Sequence, residues 1–465
     1  MLRSFLKDSA YYGLATVLSR GISFLLVPLY THVLSPAAFG SLDLLLVFAN
    51  LITLTVALEV SQAVQRFYPD IADGEQRRLL FSTALWFSFL AYSGFAVLAW
   101  LASAELAPLV MGQSGLELPF RIGLLYILVN GIYVFLLNQL RCELRSRAYS
   151  LVSFTASLLT TFVSVLLTLV ARLGLPGLVA AMAIGSTVGL GITLVLLRQR
   201  IGVHFDAALL NHMLRFSLPL VPSGMAVFVN TYVDRLLINR LLSTAEVGVY
   251  GFAIRIATLA TVLMVAFQGS LTPLLYSRYR EPDTPAQLAR LFRGFVVCAL
   301  IAIVLLAAGS RLLVLWLAPV AFAPAQMVIP ILALALLLAQ MYIFAPGPAL
   351  QAKTHIFWVV NGSVALLNVA LNLLLIPLLG LAGAALATGL AAFAGFCGFM
   401  LASQRLYPVP HRWPPLACAF ATALAMAALL MTQVLATPVV LLLLMGLVLL
   451  WWRLGLLRPG LEPVI

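Results

Sequence analysis

THVLSPAAFGSLDLLL, residues 31–46, returns 208 positions later as NRLLSTAEVGVYGFAI, residues 239–254. Leu34 and Ser35 fall on Leu242 and Ser243, and Gly40 falls on Gly248. Two more stretches repeat at an offset of 206. ELRSRAYS (143–150) lies over LQAKTHI (350–356), pairing Leu144 with Leu350 and Arg147 with Lys353. LGLPG (173–177) lies over LGLAG (379–383). Any one of these matches between apolar segments means little. Three in order at nearly one offset indicate a chain built twice from one unit.

Composition says what that unit is made of. Hydrophobic residues fill 63% of 465 positions and charged residues 9%, against about 25% charged in a soluble domain. Such a chain cannot cover its own surface in water. At about twenty apolar residues per crossing, it reads as an all-α polytopic membrane protein of about fourteen transmembrane helices. The repeat unit is six helices. Six is even, so both halves enter the membrane from the same side as parallel repeats, an architecture that places a substrate site between two lobes. The expected organisation is an N-terminal lobe over 1–200 (helices 1–6), a linker over 201–213 and a C-terminal lobe over 214–402 (helices 7–12). Residues 403–465 then hold helices 13 and 14 and a tail. RQRIGVHFDAALLNHM (198–213) has the look of an amphipathic surface helix.

A net charge of +12 is what a nucleic-acid binder would carry, but its placement is not. Twenty of the 27 basic residues fall at the N-terminus, the C-terminal tail and alternate links, at Arg66, Arg77, Arg78, Arg141, Arg145, Arg147 and onward. Only Arg121, Arg172, Arg240 and Arg311 mark the opposite ends. By the positive-inside rule both termini are expected in the cytoplasm, and no nucleic-acid footprint is present. Arg20 interrupts the first apolar run, so that run is expected to stay as a helix rather than be cleaved as a signal. Cys142, Cys298, Cys397 and Cys418 lack metal-ligand or disulfide spacing, and the five histidines lack it too. No metal site is expected. No GxxxxGK[ST], HExxH or GxSxG occurs, so neither a nucleotide loop nor a hydrolase motif is present.

Charges inside a bilayer usually face a cavity or each other. Arg20, Arg235 and Arg255 lie within expected helices 1, 7 and 8, with acidic companions Asp43 and Glu59 in helix 2 and Asp234 in helix 7. One reading is a cationic, water-filled cavity that receives an anion such as a pyrophosphate. The other is structural pairing, Arg20 with Glu59 or Arg255 with Asp234; for Asp43, nearer the membrane surface, pairing is favoured. Glu59 and Asp234 are also candidates for ion coupling by Na+ or H+, the coupling ion being the only cofactor under consideration. Asn361, Asn368 and Asn372 share one face of helix 11, and Ser153, Ser157, Thr161, Ser164 and Thr168 share one of helix 5. Each stripe could line a polar path or join helices. Gly185 and Gly189 are expected to mark close packing. Pro219 and Pro222 in SLPLVPSG (217–224) are expected to bend the chain.

SRGISFLLVPLYTHVLSPAAFGSLDLL (19–45), YVDRLLINRLLSTAEVGVYGFAIRI (232–256) and NVALNLLLIPLLGLAGAALAT (368–388) resemble the polysaccharide transporter family. These are Wzx-like flippases of O-antigen and other lipid-linked oligosaccharides, within the multidrug/oligosaccharidyl-lipid/polysaccharide exporter superfamily. The resemblance spans essentially the whole chain, though its motifs are loose. It implies two six-helix lobes in a V around a central cavity, followed by two further helices. It implies passage of an undecaprenyl-diphosphate-linked glycan from the cytoplasmic to the periplasmic leaflet of a bacterial inner membrane. A polymerase and a chain-length regulator of the same pathway are the implied protein partners. Cavity arginines of such flippases engage the diphosphate, and Arg20 and Arg255 match that placement by position only. Two alternatives stand beside this reading. A drug or cation antiporter would favour acidic cavity groups, and a membrane polymerase or acyltransferase would need a larger outer loop than residues 104–118.

Overall fold

The computed structural model describes residues 21, 24 and 26–454, other than 263, 265–270, 272–274, 276–277, 352, 354 and 432–436. Every regular element among the described residues is helical. Nine of these helices are long and apolar enough to cross a membrane, ten if the bent pair Ala207–Ser217 and Leu220–Leu241 is one crossing. The protein is a multi-pass membrane protein. This count falls below fourteen for identifiable reasons. Expected helix 1 lies mostly outside the described residues, helix 8 is described as helix over Thr244–Ala257, and the last helix, Thr437–Arg453, has 17 residues. His355–Leu406 is 52 residues long and breaks at Gly380. At 1.5 Å per residue it would reach about 78 Å, far beyond a hydrocarbon core of about 30 Å. It is two crossings folded at one glycine.

The repeat is clearest at its punctuation. Gly174 and Gly380, 206 apart, both adopt positive φ, 55° and 59°, a conformation glycine enters without a Cβ penalty. Ser35 and Ser243, 208 apart, both cap a helix: Ser35 Oγ accepts from the Ala38 N–H at 3.2 Å and Ser243 Oγ from the Glu246 N–H at 3.2 Å.

The chain forms two compact units, Met1–Gly251 and Phe252–Ile465. In the first, Glu117–Cys142 and Ser146–Val165 pack on Gly174–Leu197. Gly185 and Gly189 make that approach possible. A Cβ on Gly185 would overlap Thr160 Oγ1, and one on Gly189 would stand 2.7 Å from Tyr133 Cε2. The linker after residue 200 is tied to the start of Gly74–Leu101. Gly202 N–H donates to Ser82 Oγ at 2.7 Å, Trp86 Nε1 donates to the Gly202 carbonyl at 2.9 Å, and Arg78 Nη2 donates to the Ile201 carbonyl at 2.9 Å. Asp206 then caps Ala207–Ser217 through the Leu209 N–H, and the rings of His212 and Phe216 pack on Phe67. The chain bends by 47° into Leu220–Leu241 at the expected prolines. In the second unit, Thr284–Leu317, Ala325–Gln340, the two arms of His355–Leu406 and Trp413–Met431 form the core.

Candidate functional site

Within the first unit the repeated sequences meet each other. Pro36, Gly40 and Asp43 stand on one face of Pro36–Thr55, at i, i+4 and i+7. Thr244, Gly248 and Gly251, each 208 residues on, stand on the matching face of Thr244–Ala257. A Cβ on Gly40 would overlap the Thr244 carbonyl oxygen and come within 2.9 Å of Gly248 N. Reciprocally, a Cβ on Gly248 would overlap the Pro36 carbonyl oxygen and come within 2.9 Å of Gly40 N. The reciprocity is that of a local two-fold axis. The two helices cross backbone on backbone, and only glycine permits it.

One step along this seam the symmetry ends. Asp43 lies against Gly251, where a Cβ would stand 2.9 Å from the carboxylate carbon. The space a side chain would occupy holds the carboxylate, and Arg235 from Leu220–Leu241 meets it there. Arg235 Nε lies 2.8 Å from Asp43 Oδ2, with the N–H off the line of a hydrogen bond. Arg235 Nη1 donates to the Thr231 carbonyl at 3.1 Å, and the guanidinium carbon stands 5.1 Å from the Tyr232 ring centre. Asp234 faces the other way and accepts from the Tyr250 hydroxyl at 2.8 Å and the Arg235 backbone N–H at 2.8 Å. Asp43, Asp234 and Arg235 are 7%, 4% and 8% exposed. Buried charges persist where they are paired and hydrogen-bonded.

The seam is braced at its Thr244 end. Thr244 Oγ1 donates to the carbonyl of Gly112 at 3.1 Å and lies 2.8 Å from Asn239 Oδ1, while Ser41 Oγ donates to the Met111 carbonyl at 2.8 Å. A cavity of about 590 Å³ opens beside it, lined by Ala37, Gly112, Gln113, Asn239, Arg240 and Thr244 among others.

Of the candidates read from sequence, Asp234 and Arg235 come together here, with Asp43. Asp43 pairs as expected, with Arg235 as its partner. Asp234 is engaged by Tyr250 and Arg235 rather than in the considered pair with Arg255. Arg255 is half-buried in the last turn of Thr244–Ala257, and Arg20 lies outside the described residues. Glu59 sits at a break between Pro36–Thr55 and Val60–Phe67, where Leu58 and Glu59 both have positive φ, 49° and 55°. Its carbonyl accepts from the Gln62 N–H at 2.9 Å, and its side chain is half-buried. Asn368 and Asn372 are buried, and Asn372 Nδ2 bonds the Asn368 carbonyl at 2.9 Å and also meets its Oδ1; Asn361 is half-buried. Thr161 and Thr168 return their hydroxyls to carbonyls four residues back. Sequence reasoning missed Tyr250 and Gly251. Carrying the offset of 208 three residues beyond Gly40 would have set Asp43 opposite Gly251.

Solved transporters share this architecture. The chain is similar to lipid II flippase MurJ in an inward closed conformation, with 14% identity, a TM-score of 0.72, and coverage of 96% of this chain and 97% of that one. It is similar to an inward-facing multidrug MATE transporter of the MOP superfamily, with 16% identity, a TM-score of 0.65, and coverage of 86% and 94%. At such identities the likeness establishes the fold, which is that of MurJ and MATE transporters. Among curated proteins it is similar to Lsg locus putative protein 1 of Haemophilus influenzae, 21% identical over 292 residues, or 60% of this chain and 68% of that protein. Residues 5–278, more than half of the chain, match the family described as polysaccharide biosynthesis protein, and the chain belongs to that family.

Proposed function

We propose that the protein flips an undecaprenyl-diphosphate-linked oligosaccharide, an O-antigen, capsule or exopolysaccharide unit, from the cytoplasmic to the periplasmic leaflet of a bacterial inner membrane. The observation that carries this reading is the family match across residues 5–278. The fold shared with a lipid II flippase agrees with it. Transport by alternating access moves the cargo without covalent chemistry, so the protein acts as a transporter and not as an enzyme. Its chemical difficulty is the diphosphate, because an uncompensated anion is very costly in an apolar layer. Arginine offers forked donors matched to phosphate oxygens, and Arg20, Arg235 and Arg255 are the residues assigned to it. Glu59 or Asp234 couples the cycle to Na+ or H+, and Asn361, Asn368 and Asn372 border the glycan path. The basic-residue bias sets both termini in the cytoplasm. A polymerase and a chain-length regulator receive the product.

The test is reconstitution. Purified protein goes into liposomes with lipid-linked glycan extracted from the native host, and an impermeant lectin reports the glycan on the outer face. The protein should raise the lectin-accessible fraction above that of protein-free liposomes. An unchanged fraction, together with normal surface glycan in cells lacking the protein, would remove the reading.

A further inference from the structure

We propose that the second unit holds a glycerophospholipid of the cytoplasmic leaflet, with one acyl chain in an apolar cavity beside Trp413–Met431 and the head group held by His411 and Arg293. Such a site does not depend on which cargo the protein carries.

The cavity measures about 310 Å³ and is lined by Phe292, Ile303, Leu337, Phe396, Trp413 and Phe420 among others, none of them charged. Thr284–Leu317, Ala325–Gln340, the second arm of His355–Leu406 and Trp413–Met431 each supply a wall. Along the first of these helices it runs from Phe292 to Ile303, about 16 Å at 1.5 Å per residue. Half of a hydrocarbon core of about 30 Å is nearly the same depth, so the cavity has the length of one leaflet. Water finds too few hydrogen-bond partners in such a lining to settle there. The solvent of a membrane protein at this depth is acyl chain.

The polar groups at one end fix the class of lipid. His411 packs on two of the lining rings, 4.7 Å from Phe292 and 5.1 Å from Trp413 between ring centres. Both of its ring nitrogens are shielded from solvent and have no hydrogen-bond partner among the described residues. A buried polar group left unpaired is costly, and a neutral imidazole keeps one N–H to donate. An ester carbonyl at the glycerol level of a phospholipid supplies the acceptor. Arg293, Val296 and Leu300 stand on one face of Thr284–Leu317, at i, i+3 and i+7. Val296 and Leu300 line the cavity, and half-buried Arg293 stands one turn nearer the start of the helix. It has no acidic partner among the described residues, and its guanidinium suits the phosphate that lies just outside the ester carbonyls. The basic-residue bias assigns this end of the cavity to the cytoplasm. An apolar chain, then an ester carbonyl, then a phosphate is the order of groups in a glycerophospholipid. An isoprenoid diphosphate has no ester carbonyl, and its chain is far longer than one leaflet. Held in this cavity, the phospholipid ties Trp413–Met431 to the core of the unit.

The test uses the whole purified protein, delipidated in detergent, and phosphatidylglycerol that carries a diazirine on one acyl chain. Light fixes the chain where it lies, and mass spectrometry of the peptides locates the adducts. They should concentrate on residues 296–303 and 413–420 and saturate with added lipid. Excess unlabelled phosphatidylglycerol should remove them, and the same excess of undecaprenyl diphosphate should not. Ala417→Phe, which fills the cavity from one wall, should cut these adducts at least fivefold. Arg293→Gln and His411→Leu should leave the adducts in place and each raise the lipid needed for half-saturation at least threefold. Adducts spread evenly over the lipid-facing helices, adducts unmoved by Ala417→Phe, or half-saturation unmoved by both changes at the polar end would overturn the site. Competition by undecaprenyl diphosphate equal to that by phosphatidylglycerol would give the cavity to the cargo and overturn the assignment. The adduct map and the competition are read on the unsubstituted protein, so they decide the matter even where a variant fails to fold. No arm measures flipping, so a failed lipid site leaves the flippase reading standing, and failed flipping in liposomes does not touch the adduct map.

Discussion

Replacing Arg235 with leucine tests how the buried cluster is balanced. At 2.8 Å and an effective dielectric constant of about 20, the Coulomb attraction between Arg235 and Asp43 is about 6 kcal/mol. Desolvating each ion costs several kcal/mol, so the pair as a whole contributes little compared with two apolar side chains. Removing one partner is a different matter, typically about 3–5 kcal/mol, because the other is left buried without compensation. Arg235→Leu takes the cation from beside both Asp43 and Asp234, so it should lie near 5 kcal/mol, on the same scale. Asp43→Leu leaves Arg235 with Asp234 nearby and should lie near 3 kcal/mol, on the same scale. The double variant removes both charges and should return to within about 2 kcal/mol of the parent. Unfolding of the four proteins in mixed micelles by titration with denaturing detergent gives the cycle. The expected coupling is then about 6 kcal/mol, above the range of about 0.5–3 kcal/mol usual for residues in contact, because both partners are buried ions. If the two single losses simply add in the double variant, to within about 0.5 kcal/mol, the contact carries no coupling and the reasoning on buried charge is wrong here.

Three further outcomes follow from the same geometry. Tyr250→Phe removes the hydroxyl that donates to Asp234 and should cost about 1.5–3 kcal/mol, the range for a hydrogen bond to a charged group, in the same titration. Gly380→Ala forces a Cβ into φ 59°, ψ −135° and should cost about 1–3 kcal/mol, whereas Gly294→Ala, in the middle of a helix with open space at its Cβ, should cost nothing. His411 lies in the link before Trp413, between the rings of Phe292 at 4.7 Å and Trp413 at 5.1 Å, and burial lowers its pKa from 6.5 to about 4. Below pH 6.5 the unfolded chain takes up a proton that the folded chain refuses, so stability should fall as pH drops from about 6.5 toward 4. His411→Leu should flatten that slope in thermal unfolding at graded pH.

The fold was legible because a membrane leaves few choices. A chain this apolar must satisfy its backbone within helices or a closed barrel, and runs of about twenty apolar residues decide for helices. The repeat was legible at Ser35 and Ser243 and at Gly174 and Gly380, because caps and left-handed turns need particular residue types while the apolar stretches between them do not. The bend after Ser217 followed from proline chemistry. The charge partners did not follow. Depth along a helix places Arg235, Asp234 and Asp43 at a level in the membrane, but which arginine meets which acid depends on how the helices are rotated, and apolar composition on all sides says nothing of rotation. The stripe from Ser153 to Thr168 shows the same limit. Its spacing was read as a path or as glue between helices, yet the hydroxyls of Thr161 and Thr168 bond their own backbone, a local option that competes with both.

The difference between the two halves at 43 and 251 has a physical reason. Close to a two-fold axis a residue can meet its own counterpart, as Gly40 meets Gly248 and Asp43 meets Gly251, so an acid kept in both copies at 43 and 251 would face an acid. With the carboxylate carbon of Asp43 only 2.9 Å from where a Cβ at position 251 would begin, two carboxylates could not both fit, and like charges that close cannot both stay ionised. Glycine at 251 resolves the clash by offering no side chain at all, which leaves room for the carboxylate and gives Arg235 an acid to meet. The glycine pair at 40 and 248 is symmetric because backbone can meet backbone on an axis; the pair at 43 and 251 is asymmetric because charge cannot. An alanine at 251 should therefore be tolerated only when Asp43 is also shortened or removed. Gly251→Ala alone should weaken the parent in detergent titration, while the same change in an Asp43→Ala background should be close to neutral. Equal losses in the two backgrounds would mean that Gly251 serves the helix crossing and not the carboxylate.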